Sequence, residues 1–154
     1  MKLDVSGKRV VVAGGSRGIG RSIALAFAEG GAHVSICARG ADALEATRKE
    51  LAAKGATAHA ARCDLASESD IARYIPEAAK ALGGIDVLVN NATAGAVGDN
   101  EEAWEESLSV DLLAVVRASR AALPFLEKGR EPTIINISSG SGLNPSVVFL
   151  QVLQ

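Results

Sequence analysis

Aromatic side chains are scarce, only 3% of 154 residues, and tyrosine and tryptophan occur once each, as Tyr74 and Trp104. Phenol chemistry therefore has a single position from which to come. Two cysteines, Cys37 and Cys63, are too few to hold a fold by disulfides. No apolar run approaches the ~20 residues of a membrane span. Neither sign of charge dominates: 16 basic against 18 acidic residues leave −2. That balance removes the electrostatic case for nucleic acid or an anionic membrane. The opening MKLDVSGK is polar and does not read as a secretory leader. His33 and His59 have no second histidine or carboxylate at ligand spacing, so no metal site is expected. These absences lead us to expect one cytoplasmic domain over residues 1–154.

What is present is an alternation. Apolar runs at Arg9–Gly14, His33–Ala38, Thr57–Cys63, Ile85–Asn90 and Pro132–Ser138 read as strands. Three of them are β-branched and nearly continuous, as strands covered on both faces are. Thr57–Cys63 is alanine-rich and reads as a strand mainly from its place in the order. Between the runs lie helical segments at Gly18–Glu29, Ala41–Lys54, Glu68–Leu82 and Glu101–Lys128. Ser67 suits the cap of the third, and Pro76 inside it predicts a kink or late break. Trp104, Leu108, Leu112, Val115 and Val116 form one apolar stripe on the fourth. Acidic Asp99–Glu102 sits at its start, where the helix dipole favours negative charge. Repeated strand–helix units of this kind build a parallel, doubly wound α/β sheet.

After the first strand comes Ala13-Gly14-Gly15-Ser16-Arg17-Gly18-Ile19-Gly20, leading straight into a helix. Glycines allow a tight turn and close approach of backbone to ligand. The helix N-terminus adds unpaired N–H groups and partial positive charge, which suits a pyrophosphate. In dinucleotide folds an acidic residue about 20 positions further on binds the ribose 2′-hydroxyl. Here the second strand ends Cys37-Ala38-Arg39, with no acid. A carboxylate repels a 2′-phosphate, whereas a guanidinium binds it through charge-assisted hydrogen bonds. Arg17 and Arg39 together therefore favour NADP(H) over NAD(H).

The spacing Gly14, Gly18, Gly20 resembles that of the short-chain dehydrogenase/reductase family, in its single-domain branch. Further family features follow in order over residues 7 to about 146: Cys63-Asp64-Leu65, Asn90-Asn91-Ala92 and Ile137-Ser138-Ser139. The resemblance implies a Rossmann-type three-layer α/β/α fold with strand order 3-2-1-4-5. It implies that Gly14, Ser16, Arg17, Gly18, Ile19, Gly20 and Arg39 hold the cofactor's phosphates. It gives Asp64 and Leu65 to the adenine, and Asn91 and Ala92 to the rest of the nucleotide. Ser139 takes the place of the family's catalytic serine. The implied reaction is hydride transfer between nicotinamide and a small carbonyl or alcohol substrate. A homo-oligomer through helix 101–128 is the expected assembly.

There are departures. Ala13 stands where the family has threonine, and Thr93 where it has glycine. Asp111, 28 residues before Ser139, occupies the place of the helix-four asparagine that holds a proton-relay water. The family's general acid/base is a tyrosine thirteen residues after the serine, with a lysine four beyond it. A nearby cation brings a phenol, ordinarily near pKa 10, into working range. Val152 stands at that tyrosine position. Tyr74 lies 65 residues before Ser139, followed at +4 by Ala78, and reads as an amphipathic ring at a helix surface. Gly142–Ser146 resembles the loop after the serine, but residues 147–154 are an apolar run unlike the tyrosine-bearing helix. The expectation is a chain lacking the family's last strands and helices: a fragment, a truncation or an altered reading frame. Its fifth strand then forms an open sheet edge beside the helix-four stripe, a combination that favours self-association. The alternative functional reading is a noncatalytic NADP(H)-binding or interaction module. A serine hydrolase is rejected, because no nucleophile elbow or histidine base accompanies the Ser-Ser-Gly-Ser-Gly cluster.

Overall fold

The computed structural model describes residues 4–96 and 98–140. Gly142–Ser146, the apolar run 147–154 and Val152 lie outside the described residues. Five strands form one parallel sheet in the order β3-β2-β1-β4-β5: β1 Arg9–Ala13, β2 His33–Ala38, β3 Ala58–Arg62, β4 Val87–Asn90 and β5 Thr133–Asn136. The order reverses between β1 and β4, and at that switch point the strand ends open a crevice.

Each face of the sheet carries its own core. Val10, Val12, Val34, Ile36, Val87 and Val89 pack with α1 (Gly18–Glu29) and α2 (Ala41–Ala52). Val11, Ala13, Cys37 and Leu88 pack on the other side with α3 (Glu68–Leu82) and α5 (Ala114–Leu126). Val10, Val11 and Val12 are completely buried, which is why β1 reads as an uninterrupted apolar run rather than an alternating one. The weak, alanine-rich β3 is held by register: Val34 to Ala38 of β2 pair with Ala58 to Arg62. As an outer strand with half-buried residues, it needs less apolar bulk.

Two expectations change. Helix α3 runs through Pro76 to Leu82 without a break, capped by Ser67, whose Oγ accepts the Asp70 N–H at 3.3 Å. The fourth helical segment is not continuous. Helix α4 (Glu101–Ser107) passes into a π-helical stretch, Leu108–Leu113, before α5 begins. The stripe seen in sequence is not the packed face. Core contact is made by Ala103, Ala114, Ala118, Ala122 and Leu126, small side chains that let α5 approach α3 and the sheet, while Leu108 and Leu112 stay exposed.

At the opposite end of the sheet from the crevice, Asp86 is fully buried. It accepts hydrogen bonds from Arg9 N, Nε and Nη2 at 2.9, 2.9 and 2.6 Å and from Arg130 N at 2.6 Å. Burial opposes the ion, but the Arg9 guanidinium and the two backbone donors win, holding the carboxyl well below the ordinary carboxylate range. This charge ties β1 to the start of β4 and the turn before β5.

Candidate functional site at the glycine loop

The glycine loop is built against the C-terminal end of β2. Gly14 N and Gly15 N both donate to the Cys37 carbonyl, at 3.2 and 3.1 Å. Two glycines of the motif are fixed by close approach inside the protein. A Cβ on Gly14 would stand 2.9 Å from the Ala92 backbone, and one on Gly20 would collide with the Gly14 carbonyl and the Asn91 amide. Gly18 is different. Its φ is +55°, and a Cβ there would meet nothing within 4 Å. The loop thus packs tightly on its protein side and lies open on the other. Helix α1 starts from Arg17, in extended conformation, and no side chain caps it. Ile19, in the first turn, is 65% exposed. Its uncapped first turn directs N–H groups and positive potential toward the open side.

Arg39 follows β2 directly, two residues beyond the carbonyl that anchors the loop, so Arg17 and Arg39 both belong to this end of the sheet. Both are exposed, and among the described residues neither guanidinium is paired with a carboxylate. The Arg39 carbonyl accepts Arg62 Nε at 3.1 Å, linking it to β3. Helix α2 also starts without a side-chain cap, from Gly40. Ser16 is held through its carbonyl, which accepts Thr47 Oγ1 of α2 at 3.0 Å. Thr47 was not apparent from the sequence as a site residue. The available signal is its position three after Leu44 and four before Leu51, which puts a hydroxyl on the buried face of α2.

Asp64 and Leu65 lie just beyond β3 at the same end. Asp64 Oδ1 accepts Ala66 N at 3.0 Å, its own N–H donates to Asp70 at 2.8 Å, and Leu65 is buried. Asn91 Nδ2 donates to the Gly14 carbonyl at 3.0 Å, while Asn91 N and Ala92 N both donate to the Ala13 carbonyl. Asn90 Nδ2 reaches Asn136 Oδ1 at 2.9 Å and Ser119 Oγ at 3.3 Å, joining β4, β5 and α5. Ala13, Leu65, Asn90, Asn91 and Ala92 line a shallow hollow with Val110, Ala114 and Val115. Asp111, in the π-helical stretch, accepts Ala94 N at 3.0 Å, so its carboxylate braces the loop after Ala92. π turns within α-helices often mark functional sites. Ser139 is exposed, three residues past the end of β5.

Tyr74 is not at a surface. It is 1% exposed, and its hydroxyl lies 2.8 Å from Ser35 Oγ, which is 2.9 Å from His59 Nδ1. The phenol needs a partner once buried, and Ser35 on β2 provides it. Burial pushes the phenol well above its ordinary pKa, so it is a structural hydroxyl on the sheet face under α3. Cys37 and Cys63 are free, buried thiols beside it. The hydrogen bond with Cys37 and burial push the Cys63 thiol up. Among the described residues no cluster of three His, Cys, Asp or Glu is assembled, and no helix is long and apolar enough to cross a membrane.

The residues present fit a dinucleotide. A glycine turn whose packed side tolerates no side chain presents an open side and an uncapped helix start, and exposed Arg17 and Arg39 lie in the segments at this end of the sheet. The family model for short chain dehydrogenases matches residues 8–151. The chain is 37% identical over 142 residues to the 3-oxoacyl-acyl-carrier-protein reductase FabG of Staphylococcus aureus, an alignment covering 88% of this chain and 57% of that one. It is similar in structure to a putative short-chain alcohol dehydrogenase from Sinorhizobium meliloti, with TM-score 0.92 and 33% identity over 99% of this chain and 62% of the other. A short chain dehydrogenase from Burkholderia cenocepacia in complex with NADP superposes with TM-score 0.91 at 32% identity, covering 97% and 62%. The chain spans a little over half the length of the curated relatives it matches. By family model, sequence identity and fold together, this chain belongs to the short-chain dehydrogenase family.

Proposed function

We propose that the protein is an NADP(H)-dependent oxidoreductase of the carbonyl reductase or alcohol dehydrogenase type, and that this chain carries its nucleotide-binding part. The observation that carries the reading is the pairing of an uncapped α1, entered through a left-handed Gly18, with Arg17 and Arg39 and no acid at the end of β2. Gly14, Ser16, Arg17, Gly18, Ile19 and Gly20 receive the pyrophosphate, with the backbone N–H groups as donors. Arg39 and Arg17 take the 2′-phosphate. Asp64 and Leu65 border the adenine, and Asn91 and Ala92 the nucleotide beyond it. The nicotinamide, when bound, supplies or accepts the hydride.

Ser139 orients the substrate oxygen by donating its hydroxyl hydrogen. Asp111 holds the loop after Ala92 in place and stands near the proton relay. The substrate is a small carbonyl compound or alcohol; the Staphylococcus relative, by its name, reduces a 3-oxoacyl group carried on acyl-carrier protein. In this reading segment 101–128, where Leu108, Leu112 and Leu123 are exposed, serves as the homo-oligomer surface, and the compartment is the cytoplasm.

Val152, at the position of the family tyrosine, favours a second reading: an NADP(H)-binding module without turnover. The test is NADPH consumption by the purified protein against a panel of ketones and aldehydes, with NADPH binding followed in parallel by fluorescence. Turnover supports the oxidoreductase and sinks the second reading. Binding without turnover supports the second. Failure to bind NADPH refutes both.

A further inference from the structure

We infer that Thr47 of α2 is a positioning residue for the cofactor phosphates, setting the direction of the Ser16–Arg17 peptide and, through it, the placement of Arg17 relative to Arg39. The inference rests on the NADP(H) reading above and deepens it. Thr47 is 1% exposed, and its hydroxyl donates to the Ser16 carbonyl at 3.0 Å. No peptide bond among the described residues is cis, so a carbonyl turned into α2 turns the Arg17 N–H the opposite way, out of the protein side of the loop. The loop's other fixed carbonyl, Gly14, is taken by Asn91. The Gly14 and Ser16 carbonyls are thus claimed by side-chain donors and the Gly14 and Gly15 N–H groups by the Cys37 carbonyl, which leaves the Arg17 N–H for an anion.

Helix α2 begins two residues after Arg39. One helix therefore adjoins both segments: Arg39 lies two residues before its start, and the Ser16–Arg17 peptide is held by the Thr47 hydroxyl on its buried face. Valine would fill the same space without a donor, and serine would keep the donor while losing a methyl group.

The experiment compares wild type, Thr47→Val and Thr47→Ser in the full protein by NADPH and NADH titration, with amide hydrogen exchange in the cofactor-free state at Gly15 and Arg21, whose N–H groups are hydrogen-bonded on either side of the Ser16–Arg17 peptide. Thr47→Val is expected to weaken NADPH binding about five- to tenfold, NADH binding less, and to speed exchange at Gly15 and Arg21. Thr47→Ser is expected to stay within about twofold of wild type on every readout. Unchanged NADPH affinity and exchange in Thr47→Val overturns the inference. So does equal loss in both variants, which marks methyl packing rather than the hydroxyl. Should wild type bind no NADPH, the cofactor reading fails separately. The exchange data then decide whether Thr47 sets the loop: faster exchange in Thr47→Val alone upholds its positioning role, and unchanged exchange refutes it.

Discussion

The two ends of this sheet treat charge in opposite ways. At one end Asp86 is buried and saturated: four hydrogen bonds from Arg9 and the Arg130 backbone leave its carboxylate nothing further to offer. Lys8 pairs with Glu131 at 2.8 Å beside it. At the other end Arg17 and Arg39 are exposed without carboxylate partners among the described residues. The helix starts at the crevice end also differ among themselves. Ser67 and Asn100 cap α3 and α4 with their side chains, while α1 and α2 begin uncapped. A satisfied charge holds structure together. An unsatisfied charge at an uncapped helix start is available to a ligand.

Mutations at the two ends should separate on these grounds. The largest effect is expected from Asp86→Ala, which strands the Arg9 guanidinium and two backbone N–H groups; it should cost about 3–5 kcal/mol in chemical denaturation. A loss below about 1 kcal/mol would show the pair to be solvated rather than structural. Next, Arg39→Ala and Arg17→Ala should each weaken NADPH binding about tenfold and shift stability by less than about 0.5 kcal/mol. A destabilisation comparable to that of Asp86→Ala would erase the contrast between the ends.

Acid should act most strongly at the Asp86 end. Because the Asp86 carboxyl is held below its unfolded value, its stabilisation is fully present above about pH 4–5 and is lost as pH falls toward the depressed folded value. Asp86→Asn should flatten that acid limb of the stability profile, and an unchanged limb would place the titrating group elsewhere. The smallest effect is expected at the middle of the sheet. Tyr74→Phe removes the hydroxyl facing Ser35 and should cost about 1 kcal/mol by thermal denaturation, leaving NADPH affinity unchanged.

Much of the fold was open to reading because its central strands are buried on both faces. Val10 to Val12 and Val87 to Val89 announce themselves as continuous apolar runs, and the glycine loop sits between strand and helix where a phosphate site belongs. What stayed hidden depended on contacts between distant segments. The π-helical stretch at Leu108–Leu113 accompanies Asp111 bonding to Ala94, 17 residues earlier, a tie that no local pattern records. Tyr74 looked like a surface ring because its partner, Ser35, lies 39 residues away on β2. The packed face of α5 is built of alanines, whose modest hydrophobicity was outweighed in the pattern by the exposed leucines. Thr47 combined both difficulties: a helix-neutral residue whose partner is a loop carbonyl 31 positions back.

The central claim is that Arg17 and Arg39, without carboxylate partners among the described residues, select the phosphorylated cofactor. Calorimetric titration of the wild-type protein and the Arg17→Ala/Arg39→Ala double variant with NADPH and with NADH tests it directly. The account predicts at least about tenfold tighter binding of NADPH in the wild type, falling to near parity in the double variant. Equal affinity for both cofactors in the wild type, or a preference for NADPH that survives loss of both arginines, would contradict it.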